Sequence, residues 1–213
     1  MKSLSSQRKD YCQGALRRAD LKKIPMEQFD LWFQEASMCD AITEPNAMSL
    51  STANCDRLLT SRMVLLKGYE KDGFRFFTNS TSIKGRHIAE NPNVALLFYW
   101  PPLERQVRIN GTASLLPRVE TEKYFHSRPR NSQLAACASF QSMTLSNRHT
   151  LESRMQELKK KYKNQEVPVP DFWNGYLVAP HSMQFWQGRS DRLHDCFQYT
   201  KKESAWIIER LNP

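Results

Sequence analysis

Hydrophobic positions change their period twice along the chain. From Pro25, a residue suited to the first turn of a helix, Met26, Phe29, Trp32, Phe33 and Ala36 recur near helical spacing through Glu35 and Met38. They predict an amphipathic helix with an aromatic core face. After Glu44-Pro45 the pattern becomes β-rich and predicts strands over 47–53, 58–68, 74–79, 94–100 and 106–116. Asn54-Cys55-Asp56 and Lys71-Asp72-Gly73 supply turn chemistry between them, so antiparallel pairing is expected. Residues 82–90 read as a short helix that stops before Pro92 and bridges two strands. A second helical block follows at 119–127, 132–139 and 147–163, the last with Leu151, Met155 and Leu158 on one face. Val167-Pro168-Val169-Pro170 then breaks the chain. Strands return at 176–179, 183–188, 194–200 and 205–211, the last two joined like a hairpin across Lys201-Lys202-Glu203.

Many short strands without regular βαβ alternation, and no G-x-G-x-x-G, argue against a Rossmann sheet. The expected fold is mainly β with peripheral helices (α+β), a β-barrel formed by one domain over 25–213. Residues 3–23 are polar and basic with scattered apolar positions, so 1–24 is expected to be an arm, mobile or folded over something else. A length of 213 residues with 40% hydrophobic and 25% charged positions is enough for one packed core and excludes disorder for most of the chain. The longest apolar runs, such as 94–100, fall far short of the roughly 18 residues that cross a bilayer. The first ten residues lack the apolar stretch of a secretory signal, which predicts a cytoplasmic protein with no membrane partner. The five cysteines are odd in number and never in C-x-x-C, so free thiols are expected rather than disulfides or a metal site.

Lys and Arg total 31 against 22 Asp and Glu, a net +9 that points to an anionic partner. The charge clusters beside small and hydroxyl residues. Arg62 and Lys67 flank Met63-Val64-Leu65-Leu66, Ser82 and Lys84 open a helix, and Arg128 precedes Ser132. Guanidinium, ammonium, hydroxyl and a helix N-terminus are the donors a phosphate monoester requires. Phe185-Trp186-Gln187-Gly188 followed by Arg192-Leu193-His194-Asp195 puts an aromatic plane near an Arg and a His, and in one strand Arg192 and His194 would share a face. Gln106 and Arg108 form another same-face pair. Ser-His-Asp order, H-E-x-x-H and a P-loop are all missing, which removes the local signatures of hydrolases, metalloproteases and nucleoside triphosphatases. Lys159-Lys160-Lys161-Tyr162-Lys163 ends an amphipathic helix, where cations suit the dipole, so nucleic acid is not the expected partner.

These stretches resemble the pyridoxine (pyridoxamine) 5'-phosphate oxidases. The resemblance runs from Arg8-Lys9-Asp10-Tyr11 to Glu209-Arg210-Leu211-Asn212-Pro213. Its most specific parts are Arg62-Met63-Val64-Leu65-Leu66-Lys67-Gly68, Phe76-Phe77-Thr78-Asn79, Glu104-Arg105-Gln106-Val107-Arg108, Tyr124-Phe125-His126-Ser127-Arg128-Pro129 and the two stretches around Trp186 and His194. It implies an FMN-binding split β-barrel of antiparallel Greek-key type, and a homodimer with two FMN sites at the subunit interface. The implied reaction oxidises pyridoxine or pyridoxamine 5'-phosphate to pyridoxal 5'-phosphate, with O2 as acceptor and hydrogen peroxide as product. By motif, FMN would be held by Arg62, Met63, Val64, Leu65, Leu66 and Lys67, by Phe77, Thr78 and Lys84, and by Gln106, Gln141, Ser142 and Trp186. The substrate would meet Lys67, Tyr124, Arg128 and Ser132, with Arg192, Leu193 and His194 orienting its ring. Arg192 and His194 would be the catalytic pair, and the arm carrying Arg8 and Tyr11 would fold over the substrate as a lid.

Two positions depart from the family pattern. Ser82-Ile83-Lys84 stands where Ser-Arg-Lys is usual, and His194-Asp195-Cys196 where His-Asp-Arg is usual. Each removes a cation expected beside FMN, with Arg86 and Arg189 as the nearest replacements, and together they predict an oxidase with weakened FMN affinity. The competing readings are a catalytically weakened paralogue that binds pyridoxal 5'-phosphate, and a basic nucleic-acid-binding barrel. Retention of Lys67, Tyr124, Arg128, Arg192 and His194 favours the enzyme over the first, and the lack of interleaved aromatic and basic positions disfavours the second.

Overall fold

The computed structural model describes residues 10–203 and 205–213. Helix α1 (Pro25–Ser37) begins with Pro25 at its first turn and buries Met26, Phe29, Trp32 and Ala36, the face its spacing predicts. The strands are β1 (Ala47–Ala53), β2 (Leu59–Leu65), β3 (Gly68–Glu70), β4 (Gly73–Asn79), β5 (Asn93–Trp100), β6 (Arg105–Leu115), β7 (Trp173–Gln187), β8 (Asp195–Lys202) and β9 (Ala205–Leu211). Helix α2 (Ile83–Glu90) links β4 to β5, while α3 (Arg118–Ser127), α4 (Arg130–Ala138) and α5 (Arg148–Lys161) fill the chain between β6 and β7.

All strand pairs are antiparallel, in the order β2-β1-β5-β6-β7-β4-β3, with β8 added to β7 and β9 to β8. Alternation sends Met48, Leu50 and Thr52 of β1 and Val94, Leu96, Phe98 and Trp100 of β5 inward. The sheet curls around this core. Strands β5 and β4 are separated by β6 and β7 in the sheet, yet Phe98 and Phe74 lie 6.3 Å apart, and Phe29 of α1 packs edge-on to both at 5.0 and 4.9 Å. A second cluster around Phe125, Leu134, Val167 and Trp173 binds α3, α4 and α5 to the head of β7.

Strand β7 is the seam. Its first part, Trp173 to Val178, pairs with β4 on the edge where its last part, Ser182 to Gln187, pairs with β8, while β6 follows the other edge. The sequence pattern predicts two strands here, 176–179 and 183–188. The structure corrects this: β7 is continuous from Trp173 to Gln187, and its register with β6 shifts between Asn110 and Gly111 because His181 of β7, next to Pro180, is an extra, bulged residue. Conversely the strand expected over 58–68 divides. Leu66 N–H donates to the Asn46 carbonyl and Lys67 N–H to the Arg75 carbonyl, so the chain leaves β1 there and reaches β4 through β3. The described part of the arm lies on the sheet: Leu16 is buried, and Tyr199 Oη donates to the Lys22 carbonyl at 2.8 Å. All five cysteines are free thiols. Among the described residues no helix is long and apolar enough to cross a membrane.

Candidate active site

Between β2, β4, α2 and the α3–α4 corner lies a cavity of about 970 Å³. Four cations line it, Arg62, Lys67, Lys84 and Arg128, and among the described residues no Asp or Glu does. In a space of that size, four positive groups without a counter-carboxylate make a site for a ligand carrying more than one negative charge.

Each cation is set by its element. Arg62 projects from β2 and is held from behind, with Nη1 donating to the Leu50 carbonyl and to Thr52 Oγ1, both at 2.9 Å, and Nη2 to Thr60 Oγ1. Thr52 Oγ1 in turn lies 3.4 Å from His87 Nδ1, which ties β1 to α2. Ser82 caps α2 by accepting from Gly85 N–H, and Lys84 in the first turn donates from Nζ to Gln141 Oε1 at 2.8 Å and Ser82 Oγ at 3.2 Å. Burial, and secondarily the charge of Arg62, push the Lys84 ammonium down to about 8. Thr78 Oγ1 donates to the same Gln141 oxygen, and the backbone N–H of Ile83 donates to Ser142 Oγ.

Opposite them, Phe77, Tyr124 and Trp173 form a parallel stack, with centroids 4.0 Å apart for Phe77 and Tyr124 and 5.5 Å for Phe77 and Trp173. The Arg128 guanidinium lies over Trp173 at 4.8 Å and Phe125 at 5.7 Å. Its buried Nη1 finds no hydrogen-bond partner among the described residues, and burial lowers its pKa. A half-buried guanidinium with one buried, idle donor costs free energy that an anionic ligand recovers. Burial raises the Tyr124 pKa, so its hydroxyl is a donor at neutral pH.

Of the residues expected from sequence, Arg62, Met63, Val64, Leu65, Lys67, Phe77, Thr78 and Lys84 line this cavity, as do Tyr124, Arg128, Ser132, Gln141 and Ser142. Leu66 does not: it is buried in the main core. Gln106, Trp186, Arg192, Leu193 and His194 do not line it either, but form or adjoin a second group at the far end of β6 and β7. Gln106 and Trp186 are register partners, and the Trp186 and His194 rings are 4.6 Å apart. Tyr11 packs edge-on to both rings, at 5.7 and 5.6 Å; Arg8 lies outside the described residues. Arg192 and His194 are not on a strand, which corrects the same-face argument: β8 begins at Asp195, and Arg192 ends a turn in which Asp191 and Arg192 both have positive φ, 56° and 61°. Arg189 N–H donates to His194 Nδ1 at 3.0 Å, which makes Nδ1 an acceptor and leaves the neutral ring's hydrogen on Nε2. The two replacement cations are engaged elsewhere, Arg86 with the Thr81 carbonyl and Arg189 with Asp195.

Trp173 and the Thr52–His87 support of Arg62 escape sequence reasoning. The only local signal for Trp173 is an aromatic residue directly after a proline-rich break, and the support joins residues far apart in the chain.

A family model described as Pyridoxamine 5'-phosphate oxidase matches residues 35–162, and one described as Pyridoxine 5'-phosphate oxidase C-terminal dimerisation region matches 173–213. The pyridoxine/pyridoxamine 5'-phosphate oxidase of Idiomarina loihiensis is 48% identical over 210 residues, and that of Crocosphaera subtropica 49% over 213, each alignment covering 99% of both chains. The crystal structure of PhzG from Burkholderia lata, in complex with tetrahydrophenazine-1-carboxylic acid, is similar with a TM-score of 0.87 at 31% identity, covering 93% of this chain and 98% of that one. An FMN-binding protein from Nostoc punctiforme shares the fold, with a TM-score of 0.71 at 14% identity, covering 91% of this chain and 100% of that one.

Proposed function

The chain belongs to the pyridoxamine 5'-phosphate oxidase family, and from that premise we infer that its cationic cavity holds FMN together with the phosphate of a B6 vitamer. The protein oxidises pyridoxine 5'-phosphate or pyridoxamine 5'-phosphate to pyridoxal 5'-phosphate. Oxygen is reduced to hydrogen peroxide, and the amine substrate consumes water and releases ammonia. The observation that carries the assignment of residues is the set of four cavity cations without a carboxylate, one of them with an idle buried donor.

Hydride acceptance from C4' and the reduction of oxygen are the chemistry that bound FMN supplies. The chain's own residues bind and orient. Arg62 and Lys84, with Gln141 and Ser142 beside the capped start of α2, form the cofactor phosphate cradle. Arg128, Lys67, Tyr124 and Ser132 take the substrate phosphate, and anchoring that group spends remote binding energy on placing the ring. His194 presents Nε2–H to the ring substituents, and Arg192 supplies a cation from the neighbouring turn. The four cations, Tyr124, Arg192 and His194 are all present, which supports turnover rather than a purely binding role.

The second group does not line the cavity of its own chain, and residues 173–213 match a dimerisation region. The chain forms a homodimer, and in our reading Gln106, Trp186, Arg192 and His194 of one copy complete the cavity of the other. The experiment is direct: purified protein with FMN in air should convert pyridoxine 5'-phosphate to pyridoxal 5'-phosphate with one peroxide per turnover. Bound flavin without product would sink the assignment.

Cys196 is buried in the same row as Gln106 and Trp186, accepts from Gln184 Nε2 at 2.8 Å, and lies close enough to Arg108 to feel its charge. A Cys196→Arg substitution is expected to tighten FMN by about tenfold, the worth of one charge-assisted hydrogen bond. Flavin fluorescence titration reads this, and an unchanged Kd removes the position from the cofactor site.

A further inference from the structure

Asp195, buried at the start of β8 beside His194, gathers donors from the arm, from the turn before it and from β9. Leu16 N–H from the arm donates to Oδ2 at 3.1 Å, Arg189 Nη1 donates to the same oxygen at 3.1 Å, and Arg210 Nη1 of β9 donates to Oδ1 at 2.7 Å. Burial works to raise its pKa, yet the bonds from Arg210, Leu16 and Arg189 outweigh it and hold the carboxyl below its ordinary range.

We propose that Asp195 is a positioning residue that clamps the arm and the 189–194 turn to the end of the sheet, and thereby places His194 and Tyr11 around the substrate ring. Its effect on turnover rests on the oxidase reading above; the clamp itself rests on geometry alone.

Two features make the clamp necessary. The turn contains two successive left-handed residues, Asp191 and Arg192, neither of them glycine, and such a turn persists only where its surroundings over-determine it. The Arg189–Asp195 pair closes that turn at both ends, while Arg189 N–H holds the His194 ring. On the arm side, Tyr11 rests on Trp186 and His194 and leaves no room at Gly188, where a Cβ would fall 2.8 Å from Tyr11 Cγ. The Leu16 bond, five residues on, sets the register in which the arm crosses these rings.

The test uses full-length, FMN-loaded protein. An Asp195→Asn substitution keeps the shape and removes the charge. It should speed tryptic cleavage after Arg17 or Arg18 by about tenfold or more and raise KM for pyridoxine 5'-phosphate by about tenfold with a smaller change in kcat. A purely structural role would lower the melting temperature and leave the cleavage pattern and the KM-to-kcat split unchanged, and that result overturns the proposal. If Asp195→Asn does not fold, Arg189→Gln carries the test, because that side chain is 42% exposed. It frees the turn without freeing the arm, so KM rises while cleavage at Arg17 and Arg18 stays as in the wild type, and an unchanged KM overturns the clamp. If the unsubstituted protein shows no oxidase activity, the oxidase reading fails, and the cleavage rates alone still decide the clamp.

Discussion

Replacing Arg128 by leucine is expected to lower kcat/KM for pyridoxine 5'-phosphate by about a hundred- to a thousandfold, through two lost charge-assisted bonds to phosphate, with little loss of fold stability. The guanidinium is partly desolvated and its buried Nη1 is idle among the described residues, so removing it relieves a cost at the same time as it ends the cation–π contacts with Trp173 and Phe125. Leucine keeps apolar contact with those rings, and the melting temperature should stay within a few degrees. Arg128→Lys should fall between, since it keeps the charge and loses the planar fork. FMN affinity should hardly move in either variant. If FMN is lost while KM is unchanged, Arg128 belongs to the cofactor phosphate instead.

The FMN affinity of the apo-protein is expected to weaken as pH rises through about 8, by about tenfold per pH unit at the limit of one linked proton. In the free protein Lys84 sits near 8 because burial opposes its charge and Arg62 adds repulsion. A phosphate dianion beside it favours the charged form and raises its pKa in the complex. Below about 8 the ammonium is charged in both states and affinity is flat; above it, binding must take up a proton, so affinity declines until the pKa of the complex is passed. The phosphate itself is already dianionic, its second pKa being about 6. Lys84→Gln should abolish the slope and weaken binding at neutral pH by about ten- to a hundredfold. Flavin fluorescence titrations on both sides of pH 8 measure this, and a slope that survives in Lys84→Gln excludes Lys84 as its source.

Sequence pattern was enough for the parts of the fold that depend on local alternation. Met48, Leu50, Val94, Leu96 and Phe98 alternate inward as their strands require, and Phe29, Trp32 and Ala36 form the buried face of α1. The cavity cations were legible because Arg62, Lys67, Lys84 and Arg128 sit in short motifs rich in hydroxyl and helix-start chemistry. What failed was whatever a distant partner decides. Residues 176–179 and 183–188 read as two strands until a bulge at His181 carries β7 past Pro180, and Arg192 and His194 read as one strand face until the backbone of Asp191 and Arg192 turns left-handed. Leu66 follows its motif in the chain but points into the core. The second group of site residues needs another copy of the chain in our reading, and a motif carries no record of which copy supplies it.

The seam strand also governs when the site comes into being. Phe74 pairs with Val178 and Asn79 with Trp173, contacts between residues roughly a hundred positions apart, and such pairings are slow because a long loop must close before they repay its entropy. In the proposed site Arg62 and Lys84 are synthesised early and Gln141 and Ser142 later, while the indole of Trp173, which lines the cavity, arrives only in the last quarter of the chain. On the proposed site, cofactor capture is therefore expected to be a late step of maturation. Flavin supplied during refolding should speed nothing before β7 docks, and then trap the docked state.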